Sequence, residues 1–115
     1  MHELSIALSI VDGALEELNR QGATEAAAVH LRIGRLSGVD KDALQFAYNI
    51  ACQDTALTGS QLVIEDIDVV IRCPSCRAER QIKSFPMLTC AECGAFAERV
   101  IHGEELEITA MEVMA

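Results

Sequence analysis

A chain of 115 residues has room for one compact domain and a small inserted module. Half of it is apolar, aromatic residues make up only 3%, and 18 acidic against 9 basic side chains leave a net charge of −9. Few stacking platforms and an acidic balance exclude ordinary nucleic-acid binding, which rests on clustered Lys, Arg and aromatic rings. The same balance suits a protein that handles cations or docks on a basic surface.

The chain opens Met1-His2-Glu3-Leu4-Ser5, without the basic region and unbroken apolar run of a signal peptide. No apolar stretch is long enough to span a bilayer, so no membrane partner is expected. The expected location is cytoplasmic, where a reducing environment makes closely spaced thiols metal ligands before disulfides.

Leu4, Ala7, Leu8, Val11, Ala14, Leu15 and Leu18 recur at helical spacing and predict a first helix from Leu4 to Arg20. Gly22 stands where a C-cap belongs. From Ala27 to Ile33 the pattern alternates: Ala27, Val29, Leu31 and Ile33 share one strand face, His30 and Arg32 the other. Asp40 reads as the N-cap of a second helix through Cys52, with Leu44, Ala47, Ile50 and Ala51 inward. Leu62 and Ile64 open a strand whose phase slips at Glu65–Asp66 before Ile67, Val69 and Ile71, which predicts a bulge or a turn. Leu106, Ile108 and Ala110 mark one face of a last strand.

Cys73 to Arg99 differs in character. It holds both prolines and four of the five cysteines, and its four basic against three acidic residues give +1, leaving −10 for the rest. It reads as an inserted knuckle whose flanking strands can pair once it closes. The expected division is therefore 1–72 plus 100–115 for the main domain and 73–99 for the insert.

Cys73-Pro-Ser-Cys76 and Cys90-Ala-Glu-Cys93 are two C-x-x-C pairs thirteen residues apart. Such turns can aim four thiolates at one point, a tetrahedral shell that zinc accepts and that magnesium and calcium do not prefer. Iron takes the same ligands. Gly94 can supply the left-handed backbone that a tight knuckle uses. Neither pair opens a helix after a central strand, as a thioredoxin-like dithiol would. With every position protein-filled, the metal is structural and folds a segment too short and polar to fold alone.

His2 by itself is an ordinary solvated chain end. Its position makes it more telling, because a helix begins at Leu4 and ties the terminus down. A bulky second residue keeps Met1 in place with its amine free. That amine, the His2 backbone nitrogen and the His2 imidazole can converge on one ion, with Glu3 supplying a fourth donor. Tetragonal nitrogen-rich sets suit Ni(II) and Cu(II), and Cu(II) binds more tightly, so selectivity would rest on availability and partners.

The remaining candidates have simpler readings. His30 lies on a polar strand face, His102 in a Gly-containing turn, and Cys52 reads as a small buried hydrophobe. Glu65-Asp66-Ile67-Asp68 reads as a solvated strand edge. There is no phosphate-binding loop and no nucleophile–base pair, so the chain is not expected to be an enzyme.

With both metal features in view, the sequence resembles the HypA/HybF family of hydrogenase nickel-insertion proteins over essentially its whole length. The match rests on Met1 to Ser5, Arg32-Ile33-Gly34, Leu36 through Val39, Leu44-Gln45-Phe46-Ala47-Tyr48 and both C-x-x-C pairs. The resemblance implies a metallochaperone that delivers Ni(II) to the large subunit of [NiFe]-hydrogenase and cooperates with a HypB-type GTPase. It implies His2 as the principal nickel ligand, helped by the Met1 amine, Glu3 and Asp40. It also implies Cys73, Cys76, Cys90 and Cys93 as ligands of a structural Zn(II). The implied fold is α+β: two helices on a three-stranded sheet, with the four-cysteine zinc knuckle inserted before the last strand. The chain departs from many relatives in having Ala91 in place of proline and no histidine beside either cysteine pair. Whether it is a monomer or a homodimer is open in the sequence. The competing reading is a zinc-ribbon adaptor that binds protein or nucleic acid without a nickel role. A dithiol oxidoreductase is a third, and it predicts reactive thiols without metal.

Overall fold

A computed structural model describes residues 2–83 and 87–114. The elements run α1 (Glu3–Gln21), β1 (Glu25–Gly34), α2 (Lys41–Ala51), β2 (Gln61–Ile67), β3 (Val69–Cys73), β4 (Ala78–Ile82), β5 (Arg99–His102) and β6 (Leu106–Met114). They form two helices and two three-stranded sheets, ordered β2-β1-β6 and β4-β3-β5. No helix is long and apolar enough to cross a membrane among the described residues.

The chain divides into two compact units. The first comprises 1–31, 38–65 and 107–115, and the second comprises 32–37 and 66–106. The second is wider than the segment between the outer cysteines, because it takes in β3, β5 and the ends of β1, β2 and β6.

In the first unit, Ala7, Ile10, Val11, Ala14 and Leu18 of α1 are buried, along with Leu44, Ala47 and Tyr48 of α2. Two of these correct the expected stripes. Leu4 and Leu8 are about half exposed and Ile10 is buried in their place, while Ile50 is exposed and Tyr48 is fully buried. The helical period admits either choice, and packing of α1 against α2 decides between them. Tyr48 can go inside because its hydroxyl lies 2.6 Å from Ser60 Oγ, which itself donates to the Leu57 carbonyl at 2.6 Å. Burial also drives the Tyr48 phenol well above its ordinary value. Cys52 is buried as a small apolar side chain.

Gly22 closes α1 in a left-handed conformation, its amide bonded to Asn19 and that of Ala23 to Leu18. Asp40 caps α2 by accepting from the Ala43 amide at 3.1 Å. In β1 the buried residues change phase between Ala28 and Val29, so Ala27 is exposed while Val29, Leu31 and Ile33 are inside. The expected last strand is β6, and it is exposed along most of its length.

The turn expected at Glu65–Asp66 comes two residues later, at Asp68, because both acidic residues stay within the strand. β2 ends at Ile67, and β3 starts at Val69 in the other sheet. Asp68 at the break accepts from Arg35 Nε at 2.7 Å and Gln81 Nε2 at 2.8 Å. The strands flanking the cysteine segment also pair: β3 runs antiparallel to β5, with Ile71 opposite Val100. His102 ends β5 opposite Val70, not in a turn, and its ring lies 3.1 Å from Glu105. The pattern did not announce β4, which pairs with β3 from Val69↔Ile82 to Cys73↔Ala78. Its alternation is interrupted by charge. Gly34 lies flat against the backbone of Gly103, where a Cβ would fall 2.1 Å from the carbonyl group.

Candidate metal centres

The two cysteine pairs occupy equivalent turns. Cys73 ends β3 and Cys76 precedes β4, so the first pair closes the β3–β4 hairpin. The second closes a narrower ribbon, in which Thr89 bridges Phe96 and the Cys90 amide donates to Ala95 at 2.8 Å. In each turn an amide reaches back to the first sulfur: Cys76 N to Cys73 Sγ at 3.3 Å and Glu92 N to Cys90 Sγ at 3.4 Å. In each, the residue after the second cysteine is left-handed, Arg77 with φ 52° and Gly94 with φ 77°.

These turns bring all four Sγ atoms within 4.8 Å of one another. Cys73 and Cys93 are 3.5 Å apart, Cys76 and Cys90 3.9 Å. Four sulfurs about 2.3 Å from a central zinc form a tetrahedron with edges of about 3.8 Å. The quartet therefore fits zinc in number, donor type and spacing. All four cysteines are free of disulfides, with Cys73 and Cys90 buried and Cys93 exposed.

Crowding shows in their acidities. The amides of Cys93 and Glu92 pull the Cys90 thiol down to about 6. Against the Ala95 amide, the sulfurs of Cys73, Cys76 and Cys90 push Cys93 up to about 12. Four thiolates this close repel, and a divalent cation is what lets all of them ionise.

At the other proposed centre, His2 is exposed and takes the N-cap position of α1 without a side-chain cap bond. Met1, whose amine was the expected partner donor, lies outside the described residues. Glu3 and Asp40 do meet, since the Asp40 amide donates to Glu3 Oε2 at 3.1 Å. That bond holds the Glu3 carboxyl below its usual range. The Asp40 carboxylate is engaged as the α2 cap. Among the described residues, the cysteine quartet is the only group of three or more His, Cys, Asp or Glu at ligand spacing; His2, Glu3 and Asp40 form no second one.

Of the other histidines, His30 lies 2.8 Å from Glu112 at the surface, in keeping with its place on a polar strand face. One residue near the quartet had no role in the sequence reading. Arg80 of β4 has its guanidinium beside Cys76 and Cys90. The signal for it was a single charge between Ala78 and Ile82 on the same strand face.

The profile of a protein family described as "Hydrogenase/urease nickel incorporation, metallochaperone, hypA" matches residues 1–113. The hydrogenase maturation factor HypA of Chloroflexus aurantiacus is 44% identical over 112 residues, covering 97% of this chain and 98% of the relative. The HypA of Chlorobaculum parvum is 35% identical over 113 residues, covering 98% and 99%. Among solved structures, the solution structure of the Ni metallochaperone HypA from Helicobacter pylori superposes with a TM-score of 0.71 at 24% identity, covering 100% of this chain and 99% of that one. At that identity the likeness establishes the fold.

Proposed function

Because the chain belongs to the HypA family of hydrogenase and urease nickel-incorporation metallochaperones, we propose that it carries Ni(II) on its N-terminus for insertion into the large subunit of [NiFe]-hydrogenase. The observation that carries this reading is the family match, which runs from residue 1 to 113 and so includes both the terminus and the cysteine turns. His2 is the principal nickel ligand, with the Met1 amine and Glu3 completing a nitrogen- and oxygen-donor set of the kind Ni(II) accepts. Asp40, bonded through its amide to Glu3, positions that carboxylate and is the outermost candidate donor. Nickel is cargo and must leave, so an exposed, partly open donor set suits it better than a closed one.

Zinc has the opposite requirement. Cys73, Cys76, Cys90 and Cys93 fill a tetrahedral shell and leave no open position for a water or a substrate, so Zn(II) there holds the second unit's two turns together. The chain acts as a carrier without catalysis of its own, in the cytoplasm, with a HypB-type GTPase as the partner that licenses transfer.

The test is Ni(II) titration of the zinc-loaded chain beside a version extended by one residue before Met1. One nickel bound by the native chain, and weak binding by the extended one with zinc retained in both, is the expected result. Equal binding by both, or by neither, would remove the N-terminal site.

A further inference from the structure

Arg80 is out of place by its strand position. In β3 the residues Val69, Ile71 and Cys73 point inward and are fully buried. Their cross-strand partners on β4 are Ile82, Arg80 and Ala78, and residues directly opposite in an antiparallel pair project to the same side. Arg80 therefore projects toward the core of the second unit, while its neighbours Glu79 and Gln81 are exposed. That core consists of Val69, Ile71, Cys73, Ile82 and Cys90. The Arg80 Nε is shut off from solvent and makes no hydrogen bond. A guanidinium is always charged, so turning it inward is costly unless an anion lies there. The groups it lies beside are the sulfurs of Cys76 and Cys90.

We propose that Arg80 is a positioning and charge-compensating residue for the four-cysteine centre, lying on the Cys76 and Cys90 sulfurs so that the quartet keeps its zinc and resists attack. The inference rests on reading the quartet as a zinc site. Four thiolates around one divalent cation leave two negative charges to be balanced by the surroundings. The guanidinium offsets one of them, at one sulfur from each turn. It thereby ties the β3–β4 hairpin to the Thr89–Phe96 ribbon independently of the metal. Partial neutralisation also lowers the sulfurs' nucleophilicity, because an electrophile or a competing metal must attack electron density that the guanidinium already draws on. Outer partners of metal ligands commonly govern affinity by about 10- to 100-fold.

The experiment uses the full zinc-loaded chain as wild type, Arg80→Met and Arg80→Lys. Zinc transfer to a chromogenic chelator is followed in time, and alkylation of each cysteine by iodoacetamide is followed by peptide mass spectrometry. For Arg80→Met we expect zinc loss faster by about tenfold, with Cys76 and Cys90 alkylated ahead of Cys73 and Cys93. Arg80→Lys keeps a charge but not the planar fork, and falls between the two. Equal zinc loss and equal cysteine order in all three chains would overturn the proposal. So would Arg80→Met losing zinc faster with all four cysteines alkylated at one rate, since that pattern is general loosening of the fold. Should Arg80→Met fail to fold, the alkylation order in Arg80→Lys decides. A wild-type chain that takes up no zinc overturns the zinc reading itself, a result separable from any effect of the substitutions.

Discussion

Arg77 and Gly94 hold the same conformation at the same place in two turns, each left-handed and each directly after the second cysteine of its pair. Only Gly94 adopts it without steric cost, because a side chain in this region crowds the following carbonyl by about 1–2 kcal/mol. The two turns should therefore respond in opposite directions to substitution. Arg77→Gly relieves strain in the first turn but adds unfolded-state entropy, so it should stabilise the zinc-loaded chain by up to about 1 kcal/mol. Gly94→Ala, with nothing within 4 Å of its new Cβ, should cost about 1 kcal/mol through conformation alone. Denaturant unfolding of the two variants beside wild type checks both signs. Two shifts of the same sign would refute the equivalence.

At Gly34 space is the issue. A Cβ there would sit 2.1 Å from the Gly103 carbonyl group, and backbone cannot swing aside as a long side chain can. The same stretch is held by bonds from Gly34 N to Glu105 O at 2.8 Å and from Leu36 N to Gly103 O at 2.7 Å. Gly34→Ala should cost about 3 kcal/mol or more, among the largest effects of any single methyl in the chain. A midpoint of unfolding within error of wild type would show that the two segments separate freely.

The helices, the capping residue Asp40 and the four-cysteine quartet were legible in the sequence because each is written locally. Apolar spacing marks a helix, a short side-chain acceptor marks its start, and C-x-x-C pairs mark a turn that converges thiolates. What failed to show is what depends on partners distant along the chain. Whether Leu8 or Ile10, and Ile50 or Tyr48, faces inward depends on how α1 meets α2. Tyr48 further depends on Ser60, twelve residues away. The strand β4 was hidden because Arg80 breaks its apolar alternation, and that charge is tolerable only beside sulfurs that the turns bring there. Glu3 and Asp40 were each legible as single residues, but their contact spans 37 positions.

That contact predicts a separation of roles. Asp40→Ala removes the acceptor for Ala43 N and should cost about 1 kcal/mol of stability, while Asp40→Asn keeps an equivalent cap and should cost little. The Asp40 amide remains in both, so the bond to Glu3 survives. If Asp40 is also a nickel donor, Asp40→Asn weakens nickel binding without loss of stability; if it is a cap alone, nickel binding is unchanged. Glu3→Gln tests the carboxylate itself. The Asp40 amide depresses the Glu3 pKa in the folded chain, so this contribution to stability is present above the ordinary carboxylate value. It fades as pH falls through the depressed one. Glu3→Gln should remove that contribution, lowering stability slightly at neutral pH and flattening its loss on the acid side, so that variant and wild type converge in acid.

Removal of zinc should act on the two units differently. In the second unit the quartet links two turns that share only short ribbons, and without a cation its sulfurs either repel as thiolates or hold protons. Cys93, pushed up to about 12 by the neighbouring sulfurs, keeps its proton at neutral pH in the metal-free chain and loses it when zinc binds. Each thiol of that kind releases one proton on binding, so zinc affinity should fall by about tenfold per pH unit for each as pH is lowered. Cys90, held near 6 by the amides of Cys93 and Glu92, adds to this slope only below that value. The pH dependence should therefore steepen as acid is added. Competition against a chelator across pH 5 to 8 measures the slope. Hydrogen exchange on the chelated chain should then show protection lost in β3, β4 and β5 while the amides of α1 and α2, whose packing involves no cysteine of the quartet, remain protected. Protection lost equally in the helices would mean that the first unit depends on the metal as well, and that the two units unfold as one.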